Sequence, residues 1–183
     1  MNDFALSVRH TFADALQIVR ETHSEKPHRT GLRVAILQAM AGDYGAAIHT
    51  AQSIANRGAR DNALGRVAVW QSGRGLLDAA LDTAAQITAQ GEREDRIAAI
   101  ALDATGQKRF AEAVTIAQRL AGIKRDHLLS RIAGRMHDAG DAGNAWRVIQ
   151  QIAHREPRVC AESSFWTQES RNAPVETKVS FAR

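Results

Sequence analysis

The sequence predicts an all-α protein built from a repeated helical hairpin, and two observations lead to that prediction. Small and apolar residues return at intervals of 33, 33 and 32 residues over most of the chain. Alanine supplies much of the 44% hydrophobic content and aromatic residues only 5% of the chain, which suits closely packed helices better than sheets. A period in this range is typical of a solenoid, in which each repeat buries its apolar face against its neighbours. We therefore expect a solenoid of about four helix hairpins.

Five columns of residues carry the repeat, and they stay in register without a gap inside any repeat. The columns are Ala15, Ala47, Ala80, Ala113 and Ala145; Leu16, Ile48, Leu81, Val114 and Trp146; Val19, Ala51, Ala84, Ala117 and Ile149; Thr22, Ile54, Ile87, Leu120 and Ile152; and Phe12, Tyr44, Leu77 and Phe110. A missing side chain lets two helix backbones approach each other. We therefore expect the alanines at the crossings between helices.

The first element is predicted to be an N-terminal cap over residues 1–26. Its apolar residues, from Phe4 to Val19, form one helical stripe, and its second half matches only the back helix of a later repeat. Terminal repeats of a solenoid are usually atypical. The polar stretch 23–28 contains Pro27 and is expected to separate this cap from the first full hairpin.

Four hairpins are expected to follow, over residues 29–60, 61–93, 94–125 and 126–155. Each front helix contains an alanine after a β-branched residue, and each leads into a turn at Gly42, Gly75, Lys108 or Gly140. Glycine supplies the left-handed backbone that ends a helix, so Lys108 is an exception. The acids Asp61, Glu94 and Asp126 recur between the repeats, and we assign them a structural role at the start of a front helix.

The repeat pattern stops after Arg155, so we place the repeat domain at 1–157 and a C-terminal segment at 158–183. The piece AESSFWTQES is predicted to be a loosely docked capping helix, followed by a flexible tail. Trp70 and Trp146 fall on columns that hold apolar residues in other repeats, so both are predicted to lie in the core.

The stretch AGDYGAAIHTA resembles the turn of a tetratricopeptide repeat. That family places a small residue in the front helix, a Gly-Asp-Tyr-like turn and an alanine early in the back helix, and the matching residues are Ala35, Gly42, Asp43, Tyr44 and Ala47. The resemblance covers residues 29–155, although the family's period of 34 and its closing proline are not kept. It implies a right-handed solenoid that holds a peptide or a helix in a concave groove lined by the front helices.

One column of front-helix residues is a candidate binding site. Arg33, Arg66 and Arg131 each lie two residues before the buried alanine, and Ala99 takes this place in the third repeat. In the proteins that this chain resembles, the matching position faces the groove, and basic residues there can hold a peptide carboxylate. Four residues earlier on the same helix face are Arg29, Asn62 and His127. The alternative is that these arginines pair with neighbouring acids or are only solvated.

The sequence contains no pattern typical of a catalytic, metal or cofactor site. Seven histidines occur, but no two are three or four residues apart, as two ligands on one helix face would be. The single cysteine, Cys160, matches no zinc-binding spacing and has no histidine that can be assigned to activate it. We therefore expect a protein that is not an enzyme and that needs no metal or cofactor.

Charge and composition limit the location and the partner. The net charge is +4, from 24 basic and 20 acidic residues without a long run of one sign, so nucleic acid is permitted but not indicated. A lone cysteine suits a reducing compartment, and the chain has neither an 18-residue apolar run nor a secretory signal. We expect a cytoplasmic protein that does not enter a membrane.

Three functions are compatible with these observations. The first is an adaptor that binds a peptide or partner protein carrying acidic groups, through the arginine column. The second is an RNA-binding helical repeat protein, because hairpin solenoids can read one base per repeat. The third is a regulatory subunit that clamps an enzyme. We favour the adaptor, since many front-helix positions that would have to read bases are Gly or Ala.

Overall fold

The structure is a computed structural model that describes residues 27–172, and every regular element in that range is an α-helix. The nine helices are α1 (Pro27–Met40), α2 (Tyr44–Gln52), α3 (Arg57–Gly73), α4 (Leu77–Ala85), α5 (Gln90–Gly106), α6 (Phe110–Ala117), α7 (Gly122–Asp138), α8 (Ala142–Ile149) and α9 (Arg155–Asn172). The prediction of an all-α protein is confirmed. The predicted N-terminal cap, residues 1–26, lies outside the described residues.

The chain divides into two compact units, Met1–Arg96 and Ile97–Arg183. In the N-terminal unit, α1 packs against α2 and α3, and α3 packs against α2 and α4. In the C-terminal unit, α7 packs against α6, α8 and α9, and α8 also contacts α9. Helices that follow one another in sequence are therefore neighbours in space, as the hairpin pattern predicts.

The alanine column forms part of the helix contacts within each unit. Its four described members, Ala47, Ala80, Ala113 and Ala145, are all fully buried. Ala47 packs with Ala39 and Val67 from the two front helices of the N-terminal unit, and Tyr44 and Ile48 cover this cluster. The absence of a larger side chain at these positions is what allows neighbouring helices to approach closely.

We expect Ala80→Leu and Ala113→Leu each to lower the free energy of unfolding by roughly 1 to 3 kcal/mol, because added methylenes must push apart a packed interface. Ala89 is exposed, so Ala89→Leu is the matched control and should leave stability nearly unchanged. Thermal unfolding followed by circular dichroism measures all three variants. Equal melting temperatures would mean that the alanine column does not lie at tight helix contacts.

The turn after each front helix repeats one hydrogen-bond pattern. In the first turn, the Gly42 N–H donates to the Ala39 carbonyl and the Asp43 N–H to the Gln38 carbonyl, and the same two bonds recur at the turns of residues 75, 108 and 140. The residue at the first position is left-handed in every case, with φ of 86° at Gly42, 79° at Gly75 and 88° at Gly140. This is the helix ending that glycine favours. Lys108 adopts it as well, with φ of 60°.

The placement of Trp70 corrects the prediction that it lies in the core. Its side chain is 36% exposed, and Leu37, the equivalent residue of the first repeat, is 40% exposed. Both follow the buried alanine of their helix by two residues, which puts them on the side that other helices leave open. Trp146 fits the prediction better, because it is half-buried and its ring centroid lies 5.2 Å from that of Phe165.

The part of the C-terminal segment that the structure describes belongs to one long helix that packs on the preceding helices, whereas the sequence predicted a loosely docked piece. Helix α9 begins at Arg155 and continues through the predicted domain boundary at 157/158. Pro157 does not interrupt it, because a proline in the first turn removes no intrahelical hydrogen bond. Phe165 and Ala161 are buried, so the predicted loosely docked piece is one face of an 18-residue helix packed on α7 and α8. The predicted flexible tail, beyond residue 172, lies outside the described part of the chain.

Candidate functional site

Each of α1, α3 and α7 leaves one stripe of side chains exposed, and the sequence-predicted site residues all lie on these stripes. On α3 the buried side chains surround the helix except along Asn62, Arg66 and Trp70, which follow one another at four-residue spacing. That spacing places them on one helix face. The corresponding exposed residues are Arg29, Arg33 and Leu37 on α1, and His127, Arg131 and Arg135 on α7.

The arginines of these stripes have no acidic partner within residues 27–172. Arg29, Arg33, Arg66 and Arg131 are exposed, and no hydrogen bond or ion pair joins their side chains to another residue in this range. Other arginines do form such pairs; Arg158, for example, donates from Nε to Glu162 Oε1 at 3.0 Å. Within the described part of the chain, the guanidinium groups of the predicted column are therefore not paired with an acid.

In the N-terminal unit, the two stripes belong to helices that pack directly against each other. Arg33 on α1 and Arg66 on α3 occupy equivalent positions, two residues before a fully buried alanine. Exposed apolar side chains lie beside them: Leu37 and Trp70 one helical turn further along, and Met40, which is 46% exposed. This surface combines cations with exposed apolar side chains. The third arginine of the column, Arg131, belongs to the C-terminal unit.

The C-terminal unit contains a cleft of about 620 Å³ next to Arg131. Its cationic residues are Lys108, Arg131 and Arg135, and its one acid, Asp138, accepts a hydrogen bond from Gln168 Nε2 at 2.5 Å. Within residues 27–172, the side chains of Lys108, Arg131 and Arg135 form no hydrogen bond or ion pair. The remaining lining residues are Leu102, Thr105, Gly106, Phe110, Gly134 and Ala139. The cleft therefore carries an excess of positive charge.

Lys108 also lines a second cleft, of about 590 Å³, in which acidic residues accompany the basic ones. Arg109 forms an ion pair with Glu112, and Asp141 caps α8 by accepting from the Asn144 N–H at 3.4 Å. Arg147 donates to Asn144 Oδ1 at 3.1 Å. Two of its three basic residues, Arg109 and Arg147, already have partners, and two acids, Glu112 and Asp141, also line it. This cleft is therefore a weaker candidate for binding an anion than the first.

Lys108 was recognised in the sequence as an exception to the glycine pattern, but Arg135 was not singled out. Arg135 follows Arg131 by four residues, so the helical spacing was sufficient to place it on the same face. A left-handed conformation costs a residue other than glycine about 1 to 2 kcal/mol. Lys108 bears that cost in a turn whose three counterparts avoid it.

Two buried aspartates perform a structural role that sequence reasoning assigned only in part. Asp61 accepts hydrogen bonds from the Thr88 and Ala89 N–H groups at 3.2 and 3.0 Å, directly before α5. Asp126 accepts from the Ala153 and His154 N–H groups at 2.9 and 2.8 Å, directly before α9. Both acids do bond at the start of a helix, but not of the helix in which they lie. Asp61 lies in α3 and serves α5, whereas Asp126 lies in α7 and serves α9, most of which was predicted to belong to the C-terminal segment.

These contacts also determine the ionisation of the two carboxylates. Burial alone would raise the pKa of Asp126, but hydrogen bonds with the His154 side chain and backbone, with Arg125 and with the Ala153 N–H outweigh it and hold the pKa well below its usual range. Burial opposes ionisation of Asp61 too, yet bonds from Thr88 and Ala89 lower its pKa. The oxygens of both aspartates are engaged in hydrogen bonds that cap helices, and their lowered pKa values keep them ionised, so they are poor candidates for acid–base chemistry.

The other groups with possible chemistry are dispersed. His137 is buried beside Phe165, and its Nε2 lies 2.8 Å from Glu169 Oε1; Cys160 is exposed on α9. Among the described residues, no three His, Cys, Asp or Glu side chains come together to form a metal site. In the same range, no helix is both long enough and apolar enough to cross a membrane.

No model of a protein family matches the chain, and no curated protein matches it at a significant level.

Proposed function

We propose that this protein is a non-enzymatic scaffold that binds an acidic peptide, or an acidic segment of a partner protein, along the exposed stripes of its front helices. In this proposal the hairpins form a right-handed, tetratricopeptide-like solenoid, and the stripes face its groove. The observation that carries the proposal is the cleft of the C-terminal unit, where the side chains of Lys108, Arg131 and Arg135 have no hydrogen-bond or ion-pair partner among residues 27–172.

Charge and exposure both support an acidic ligand. A guanidinium group donates two parallel hydrogen bonds to a carboxylate, and such charge-assisted bonds are about twice as strong as neutral ones. Leu37, Met40 and Trp70 expose apolar surface beside Arg33 and Arg66 in the N-terminal unit. A segment that alternates acidic and apolar side chains would match this surface, because each kind of side chain finds a complementary group.

The exposure of Trp70 favours RNA as a second candidate ligand. An exposed tryptophan one helical turn from Arg66 has the arrangement that stacks a base and contacts the neighbouring phosphate. Leu37 takes the equivalent place on α1 and offers no aromatic face. A row of stacked bases would need an aromatic residue in successive repeats, so we place the acidic peptide first.

We expect the double variant Arg33→Ala/Arg66→Ala to bind a labelled oligoglutamate peptide at least about tenfold more weakly than the wild type, because hydrogen bonds to charged groups contribute roughly 1.5 to 3 kcal/mol each. Its melting temperature should not change, since exposed charges add little to stability. Fluorescence anisotropy at low ionic strength measures the binding.

The control removes the same charge elsewhere: Arg119→Ala/Arg155→Ala changes two exposed arginines that lie off the stripes. A labelled oligouridylate, titrated over a range of salt concentrations, tests the RNA alternative. If the wild type binds oligouridylate and not oligoglutamate, RNA replaces the acidic peptide as the ligand. If it binds neither, the proposed function is wrong.

A further inference from the structure

The turn at Lys108 has the same backbone hydrogen bonds as its three counterparts but carries lysine where they carry glycine. The Lys108 N–H donates to the Thr105 carbonyl and the Arg109 N–H to the Ala104 carbonyl, which is the pattern found at Gly42, Gly75 and Gly140. The backbone is left-handed at all four positions. Glycine therefore suffices to build this turn, and the lysine side chain is not needed to form it.

What the lysine adds is an ammonium group on a residue that lines the cationic cleft. Lys108 lines that cleft together with Arg131 and Arg135, which project from α7. A residue kept in an unfavourable backbone conformation next to a cavity suggests a function, because the surrounding structure must compensate for the strain. The volume of about 620 Å³ is within the range of sites that hold small ligands, and it would admit one or two side chains of a peptide.

We propose that Lys108, Arg131 and Arg135 form an anchoring subsite for a glutamate or aspartate side chain of the bound peptide, and that Lys108 is retained in its left-handed conformation for this contact. The inference rests on the proposed function and names the place where the acidic ligand is held most firmly. Asp138 lies in the same cleft and is hydrogen-bonded by Gln168. The negative charge of Asp138 repels a dianion such as phosphate more strongly than it repels a carboxylate, which carries a single charge.

The test separates the side chain of Lys108 from its backbone. Lys108→Gly removes both the ammonium group and the strain, so it should bind oligoglutamate several-fold more weakly while its melting temperature rises by roughly 2 to 4 °C. Lys108→Ala removes the ammonium group and keeps the strain, so it should weaken binding equally without the rise. Lys108→Arg should bind as the wild type does.

Two further variants serve as references. Arg131→Ala/Arg135→Ala should weaken oligoglutamate binding at least tenfold, since it removes both other cations of the subsite. Gly75→Lys introduces the same strain into a counterpart turn, and it should lower the melting temperature by about as much as Lys108→Gly raises it. An oligoglutamine peptide of the same length reports binding that does not depend on charge.

The outcomes distinguish this inference from the proposed function. If the wild type binds oligoglutamate and Lys108→Gly binds it equally well, the subsite does not use Lys108, and the inference is overturned while the proposed function stands. A lower melting temperature in Lys108→Gly would overturn it too, because Lys108 would then stabilise the end of α5. Absence of oligoglutamate binding by the wild type would overturn the proposed function and the subsite together.

Discussion

Replacement of Asp126 by alanine is expected to lower the free energy of unfolding by roughly 2 to 5 kcal/mol. The carboxylate is fully buried and accepts hydrogen bonds from the Ala153 and His154 backbone N–H groups. It also accepts from Arg125 Nε at 2.9 Å and from His154 Nδ1 at 2.7 Å. Alanine would leave two partly buried backbone donors at the start of α9 without their acceptor, and a donor left unsatisfied on burial costs about 1 to 3 kcal/mol. Asp61→Ala should act in the same direction at the start of α5.

Urea unfolding at neutral pH measures this effect, with Asp82→Ala as the control. Asp82 is an exposed aspartate of α4 and should be replaceable at little cost. Asp126→Asn should be intermediate, because an amide oxygen still accepts from the backbone but carries no charge. An Asp126→Ala variant as stable as the wild type would show that water replaces the carboxylate and that the cap is not essential.

The same carboxylates should make the protein sensitive to acid. Their pKa values are lower in the folded chain than in the unfolded chain, so the unfolded state binds more protons as the pH falls. The stability that they contribute is fully present above the ordinary aspartate pKa, near pH 4, and is lost as the pH falls below it towards the folded-state values. Between pH 5 and pH 3, Asp126→Asn should therefore lose less stability than the wild type.

The repeated columns were sufficient to predict the helices and much of the core. Ala47, Ala80, Ala113 and Ala145 are buried because a position that excludes larger side chains in every repeat is under the same packing constraint each time. The glycines of three turns were equally informative, since a left-handed residue ends each front helix. These features depend on local geometry, which a single sequence records directly.

Contacts between repeats were harder to predict. Asp61 and Asp126 bond to backbone groups 27 and 28 residues further along, and no helical or strand period links positions so far apart. Their side chains could have capped their own helices, but α3 is capped by Asn56, whose side chain accepts from the Ala59 N–H at 2.9 Å. Only the tertiary structure decides which helix end an acid serves.

The misplacement of Trp70 has a similar cause. Its column contains Leu37, and two large apolar residues at one position normally indicate a buried face. On α3, however, the buried faces already contain Leu64, Val67 and Ala68, and the side towards Arg66 and Trp70 is not covered. The sequence shows which residues are apolar, whereas exposure depends on how many neighbours the helix has.

The sequence predicted those residues of the candidate site that occupy the same position in successive repeats. Arg131 was identified because it shares a column with Arg33 and Arg66, and all three are exposed. Lys108 lies in a turn and breaks the pattern instead of following it, so its relation to Arg131 emerges only from the cleft that both residues line. A departure from the sequence pattern at a strained position is therefore a reason to test that residue for a function.

Phe165→Ala is expected to destabilise the C-terminal unit by about 3 to 5 kcal/mol, the usual cost of removing a buried phenylalanine. Phe165 is only 8% exposed, and its ring centroid lies 4.8 Å from that of His137 on α7, 5.2 Å from that of Trp146 on α8 and 5.3 Å from that of Trp166. It thus joins α9 to both helices of the preceding hairpin. The loss should appear as a lower melting temperature in far-UV circular dichroism.

Trp166→Ala is the control, because Trp166 lies next to Phe165 but is 56% exposed and has less contact to lose. If Phe165→Ala and Trp166→Ala cost the same, α9 is not anchored through Phe165.

Removal of residues 158–183 should uncover the aromatic surface of α7 and α8 and promote association, yet leave a helical protein, since the repeated columns end at Ile152. If the truncated chain unfolds completely, α9 is an integral part of the C-terminal core and the domain boundary predicted at 157/158 is wrong.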